Sequence, residues 1–181
     1  MGSPEEAWNI LNAAEQICPA AVVSAAVERL ATEITAALSD KSPLVLSVMG
    51  GAVVFTGQIL PRLHFPLDFD YIHVSRYGND LHGKQLDWKV FPGENVQGRT
   101  VLVLDDILDE GHTMAAIREK VLGLGAAACY CAVFADKDIG RTKPMYADFV
   151  GLTLPNRYVF GFGMDVRGAW RNLPAIYAIK D

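Results

Sequence analysis

The residues with most chemical potential lie at 101–114, VLVLDDILDEGHTM. An apolar run leads into Asp105-Asp106, two apolar residues follow, and Asp109-Glu110-Gly111-His112-Thr113 then opens a helix-like stretch. A strand, a glycine turn and a helix start would aim the first helical N–H groups at whatever lies above a sheet. Those donors, with the helix dipole, suit a phosphate. Gly111 allows close backbone approach, and Thr113 adds a hydroxyl. The paired carboxylates could accept hydrogen bonds from a sugar diol or hold water around Mg2+. The plainer alternative is a capped helix with a solvated acidic turn. The coincidence of acid pair, glycine turn and helix start favours the phosphate reading.

The surrounding elements must hold these groups. Ala20–Leu38 places Val23, Val27, Leu30, Ile34 and Leu38 three and four apart, one apolar helical stripe. Short apolar runs at 44–49, 70–75, 100–104, 127–134, 149–152 and 158–162 read as strands, with helices at 52–60 and 113–124. Continuous apolar strands alternating with helices indicate an α/β fold with a mainly parallel twisted sheet covered on both faces. In such folds ligands bind beyond the carboxyl ends of the strands. Residues 76–96 and 136–147 resist assignment, and the first of these has the length of a lid or a small hairpin.

The chain has 181 residues, 51% hydrophobic and 20% charged, which fits one domain able to bury a core. A net charge of −5 argues against a general nucleic-acid binder. It leaves room for a small anion held by backbone amides or through a metal. Cys18, Cys129 and Cys131 fit neither a disulfide framework nor a zinc site, and read as buried, reduced thiols on a cytoplasmic protein. No charged-then-apolar leader is read, and no apolar run approaches the ~18–20 residues of a membrane span.

The 101–114 segment closely resembles the phosphoribosyl-diphosphate motif of type I phosphoribosyltransferases. Val48-Met49-Gly50-Gly51 is similar to that family's pyrophosphate loop. Phe149-Val150-Gly151-Leu152, the run Val159-Phe160-Gly161-Phe162-Gly163-Met164-Asp165, and Trp170-Arg171-Asn172-Leu173-Pro174 resemble the base-binding part of its hypoxanthine-guanine branch. The resemblance implies a type I phosphoribosyltransferase fold, with a core at about 40–155, a small hood from the N-terminal segment and 156–181, and a mobile lid at about 76–96. It implies Mg-dependent purine salvage: phosphoribosyl diphosphate and hypoxanthine or guanine would give IMP or GMP and pyrophosphate. It also implies a homo-oligomer, dimer or tetramer.

Roles follow from the same resemblance. Asp105 and Asp106 would hold the ribose hydroxyls, directly or through metal, and the backbone of Asp109, Glu110, Gly111, His112 and Thr113 would bind the 5-phosphate. Asp109 would exchange a proton with purine N7. Lys137 would donate to O6, Tyr158 would stack on the base, and Val159 would meet its edge through the backbone. Asp165 belongs to the base site and would organise Mg2+ through water. Met49, Gly50 and Arg171 would face pyrophosphate, and Arg76 and Tyr77 would belong to the lid.

Taken singly, several of these residues read otherwise. Lys137, between Asp136 and Asp138, has the surroundings of a solvated charge. Tyr158 could be packing, and Arg171 could pair with a surface carboxylate. Three positions depart from the branch pattern. Met49 replaces a basic residue, and Arg76-Tyr77 replaces Ser-Tyr. Glu110 replaces a Ser or Thr, so its carboxylate must point away from the phosphate or weaken binding; His112 is the neighbouring partial cation. Xanthine as the preferred base, a different acceptor, and a regulator that senses the sugar donor without turnover all remain open.

Overall fold

A computed structural model describes residues 2–76 and 86–180, apart from the side chains of Arg76, Leu86 and Glu94. The main body is a six-stranded sheet. In chain order, α1 is Pro4–Ala13, β1 Glu15–Cys18, α2 Ala20–Leu38, β2 Leu44–Met49, α3 Val53–Ile59, β3 Asp68–Arg76 and β4 Leu86–Val90. Then come β5 Thr100–Leu108, α4 His112–Gly123, β6 Ala128–Asp138, β7 Phe149–Pro155, β8 Val159–Phe160 and β9 Ile176–Ala178. The sheet order is β4-β3-β2-β5-β6-β7. All neighbours are parallel except β3 and β4, which pair antiparallel at the edge.

Both faces of this sheet are covered, as its apolar strands require. On one side α2 and α3 pack against Val45, Leu102, Leu104 and Phe134. The stripe read from the sequence is the buried face of α2: Val23, Val27, Leu30, Ile34 and Leu38 are at most 2% exposed. A buried hydrogen bond of 2.7 Å between the hydroxyls of Ser47 and Thr56 fastens α3 to β2. On the other side Met114, Ile117 and Val121 of α4 pack on Val101, Val103 and Val133. Cys129 and Cys131 lie in that same cluster, buried and free, as their two-residue spacing on one strand predicts. Among the described residues no helix is long and apolar enough to cross a membrane.

The hood is a separate antiparallel sheet, β1-β9-β8. Its first and last strands come from opposite ends of the chain, with Glu15 opposite Ala178. α1 is pinned to it: the Trp8 and Trp170 rings meet edge-on at 4.8 Å, the Trp170 indole N–H donates to the Ala7 carbonyl at 2.8 Å, and Arg167 pairs with Glu6.

Several expected boundaries shift. The strand expected to end before the acid pair continues through Asp105 and Asp106 to Leu108, because β6 offers it a hydrogen-bonding ladder as far as Asp136. Extension of β6 to Asp138 likewise puts Lys137 on a strand instead of in a loop. The strand expected at 158–162 is cut to Val159–Phe160. Gly161, Phe162 and Gly163 have φ of 98°, 50° and 101°, and that left-handed backbone ends a pleat. Part of the stretch expected as a lid, Leu86–Val90, is the edge strand β4; Tyr77 and the rest of 77–85 lie outside the described residues.

Candidate active site

Strands β2, β5 and β6 run parallel, so their carboxyl ends open on one edge. There the core and the hood enclose a cleft of about 240 Å3 lined by Asp106, Ile107, Asp109, Lys137, Tyr158, Val159, Met164, Asp165 and Arg171. Seven of these nine were singled out from the sequence. Ile107 and Met164 were not, since an isolated apolar side chain beside a motif looks like core.

The core supplies the charged groups. The Lys137 ammonium, on a side chain only 12% exposed, lies 3.2 Å from an Asp109 carboxylate oxygen. It is therefore a partnered, half-buried cation and not the solvated charge its neighbours suggest. Asp106 is half-buried beneath, accepting from the Ile107 N–H at 2.8 Å. Burial pushes its carboxyl above the ordinary range, against the opposing pull of the Asp105 carboxyl, the Ile107 N–H and the Arg171 cation. The Asp105 carboxylate accepts from the Asp106 N–H at 2.9 Å.

The hood supplies an aromatic face and a guanidinium. Tyr158 is 55% exposed, and its hydroxyl donates to the Asp165 carbonyl at 3.3 Å. Arg171 is engaged twice, pairing with Asp165 at 2.6 Å and donating to the Gly163 carbonyl at 2.6 Å. The second Asp165 oxygen accepts from the Gly168 N–H at 2.7 Å. Two glycines let the walls meet. A Cβ on Gly51 would fall on the Asp106 carboxylate, and one on Gly163 would fall on the Gly51 carbonyl. The loop after β2, the acid of β5 and the hood thus touch through backbone that admits no side chain.

The other candidates lie beside this cleft and do not line it. Met49 ends β2 and Gly50 follows it. Gly111 caps α4 with φ 84° and brings no capping side chain of its own to the turn that His112 and Thr113 begin. The Glu110 carboxylate pairs with Arg141, 2.7 Å away. Arg76 ends β3. Beneath this corner Lys143, absent from any sequence expectation, is 7% exposed and holds Asp136 and two carbonyls. A lone lysine in a polar loop gives no sign of such burial.

A model of the phosphoribosyl transferase domain family matches residues 14–167. The hypoxanthine-guanine-xanthine phosphoribosyltransferase of Tritrichomonas foetus is 35% identical over 156 residues, covering 86% of this chain and 85% of that protein. The bifunctional protein TilS/HprT of Listeria innocua is 34% identical over 156 residues; the match covers 85% of this chain but 24% of that longer protein. A solved hypoxanthine-guanine-xanthine phosphoribosyltransferase superposes with a TM-score of 0.77 at 32% identity, covering 92% of this chain and 94% of its own. With strand order, hood and cleft as described, this chain belongs to the phosphoribosyltransferase family, in its hypoxanthine-guanine branch.

Proposed function

We propose that the chain works in purine salvage, transferring the 5-phosphoribosyl group of phosphoribosyl diphosphate to N9 of hypoxanthine or guanine and releasing pyrophosphate. The observation that carries this reading is the Asp109–Lys137 pair, 3.2 Å apart, facing Tyr158 and Val159 across one cleft. A 6-oxopurine presents an acceptor at O6 and a second nitrogen at N7 on the same edge. An ammonium and a carboxylate side by side suit that edge: Lys137 donates to O6, and Asp109 exchanges a proton at N7. Tyr158 covers the ring face and the Val159 backbone meets its edge. Adenine, with an amino group in place of O6, would set two donors against each other.

The turn at 109–113 grips the 5-phosphate through the amides that open α4, and Asp105 and Asp106 steady the ribose hydroxyls. Arg171, with the Met49-Gly50 backbone, faces the leaving pyrophosphate. The glycosidic bond to the leaving group breaks largely ahead of the new one, so the sugar carbon becomes cationic and vulnerable to water. Transfer therefore requires that water be kept from that carbon.

Mg2+ fits the donors present. Among the described residues no three His, Cys, Asp or Glu side chains converge as a cage. Mg2+ needs none, as it keeps several waters and takes one or two carboxylates with a ligand's phosphate oxygens. The acids of the site offer oxygen donors, and a cation would offset the burial that disfavours the charged Asp106 carboxylate. Asp105 and Asp106 would hold the ion, and Asp165, with both oxygens already engaged, would reach it through water. Bound there, it would offset charge on the departing pyrophosphate.

The test is an acceptor panel of hypoxanthine, guanine, xanthine and adenine with phosphoribosyl diphosphate and Mg2+. Formation of IMP and GMP, with adenine inert, is expected. Absence of both products from folded protein would defeat the reading, and xanthine turning over fastest would move the acceptor.

A further inference from the structure

Lys143 lies in the loop between β6 and β7, and its side chain is 4% exposed. Its ammonium donates to the Asp136 carboxylate at 2.5 Å, the Lys137 carbonyl at 2.6 Å and the Leu108 carbonyl at 2.8 Å. Three donors meet three acceptors, so the cation is satisfied. The identity of these acceptors matters. Leu108 immediately precedes Asp109. Lys137 is the group assigned to O6, and Asp136 precedes it. The pairing of β5 with β6 ends at Leu108 and Asp136, so the ammonium ties the two strands where the sheet ladder stops.

The same loop supports the phosphate turn. A Cβ placed on Gly111 would touch Lys143 Cβ, Pro144 Cδ and the Met145 carbonyl, each at 3.4 Å. One side of the loop therefore floors the turn that caps α4. The other grips the strand end that carries the base-reading lysine. An apolar side chain of equal length would fill the space but leave a half-buried carboxylate and two carbonyls without this partner.

We infer that Lys143 is a positioning residue that fixes the distance between the base-reading Lys137 and the phosphate-binding turn that begins at Asp109. That distance must match the span from O6 to the 5-phosphate within one nucleotide. The inference rests on the transferase reading above and adds to it a residue that touches no substrate. Its consequence is selective. A ligand spanning both subsites depends on the spacing, and a ligand filling one subsite does not.

Binding of GMP and of ribose 5-phosphate, measured by calorimetry on wild type, Lys143→Met and Lys143→Arg, separates the cases. For Lys143→Met the GMP dissociation constant should rise roughly tenfold or more, while that of ribose 5-phosphate stays within about threefold. kcat should fall about 10- to 100-fold, the scale of a ~1 Å misplacement. Lys143→Arg, which keeps the charge and donors, should recover part of the GMP affinity. Equal weakening of both ligands, or no weakening of either, would overturn the inference. If Lys143→Met does not fold, Asp136→Asn is read by the same ratio, with a smaller selective loss expected and an unchanged ratio counting against the role. Wild type that binds no GMP would instead defeat the transferase reading.

Discussion

The cleft has two walls of different construction. The core wall is made of side chains at the ends of β5 and β6: Asp106, Asp109 and Lys137, set on a buried parallel sheet and tied from below by Lys143. The hood wall is made largely of backbone shape. Left-handed turns at Gly161, Phe162 and Gly163 bring Val159, Met164 and Asp165 to the cleft, and α1 secures the following loop through Trp170 and Arg167. The core wall carries the groups that can take or give a proton. The hood wall carries surface, edges and one guanidinium already held by Asp165. This contrast assigns proton exchange and O6 recognition to the core wall and stacking of the base to the hood wall, and each assignment can be broken.

The largest effect is expected from Asp109→Ala. Loss of a positioned general acid–base lowers kcat by about 10²–10⁴-fold. Ribose 5-phosphate affinity should change little, since the amides of the turn remain. A kcat within tenfold of wild type, in initial-rate assays, would remove proton exchange from this residue. Lys137→Met comes next. Its hydrogen bond to O6 involves a charged donor, a class that contributes about 1.5–3 kcal/mol, so kcat/KM for hypoxanthine should fall about 10- to 150-fold. Across the cleft, Tyr158→Ala should raise KM for the base by up to the same order, about 1–3 kcal/mol of stacking, with kcat nearly unchanged. Tyr158→Phe should stay close to wild type, because the hydroxyl makes only a 3.3 Å contact to the Asp165 carbonyl on an exposed side chain. If Tyr158→Ala depressed kcat and left KM alone, the division between the walls would fail.

The same contrast separates what the sequence discloses from what it conceals. The α2 stripe and the apolar strands follow from periodicity, because burial demands a regular spacing of apolar side chains. Asp105, Asp106 and Asp109 stand out because acids at the end of an apolar run are unexpected unless they act or cap. Strand limits were less visible. β5 and β6 run past the points where their apolar character stops, held by partners far away in sequence. The hood was legible only through resemblance. Its turns depend on left-handed φ at Phe162, Arg167 and Trp170, residue types that do not advertise it. Lys143 was hidden for a related reason: its three acceptors gather only once β5 and β6 are aligned.

The smallest effect concerns stability, and its pH dependence distinguishes the walls again. Burial holds the Asp106 carboxyl above the ordinary value of 3.8. The folded chain therefore binds that proton more readily than the unfolded chain. Stability linked to Asp106 falls as pH climbs from the unfolded value through the raised folded one, and stays reduced at neutral pH. Asp106→Asn keeps an acceptor for the Ile107 N–H and carries no charge. In EDTA, without substrate, its Tm at pH 7–8 should exceed that of wild type by a few degrees; in a chain of this size ~1 kcal/mol corresponds to about 2–4 °C. The gain should shrink toward zero as pH drops below the ordinary carboxylate range, where both side chains are neutral. Tyr158→Ala on the hood wall removes no buried charge, so its Tm difference from wild type should not change with pH over that range. An Asp106→Asn advantage that is absent at pH 7–8, or that grows on acidification, would mean the acid is not held against its own burial.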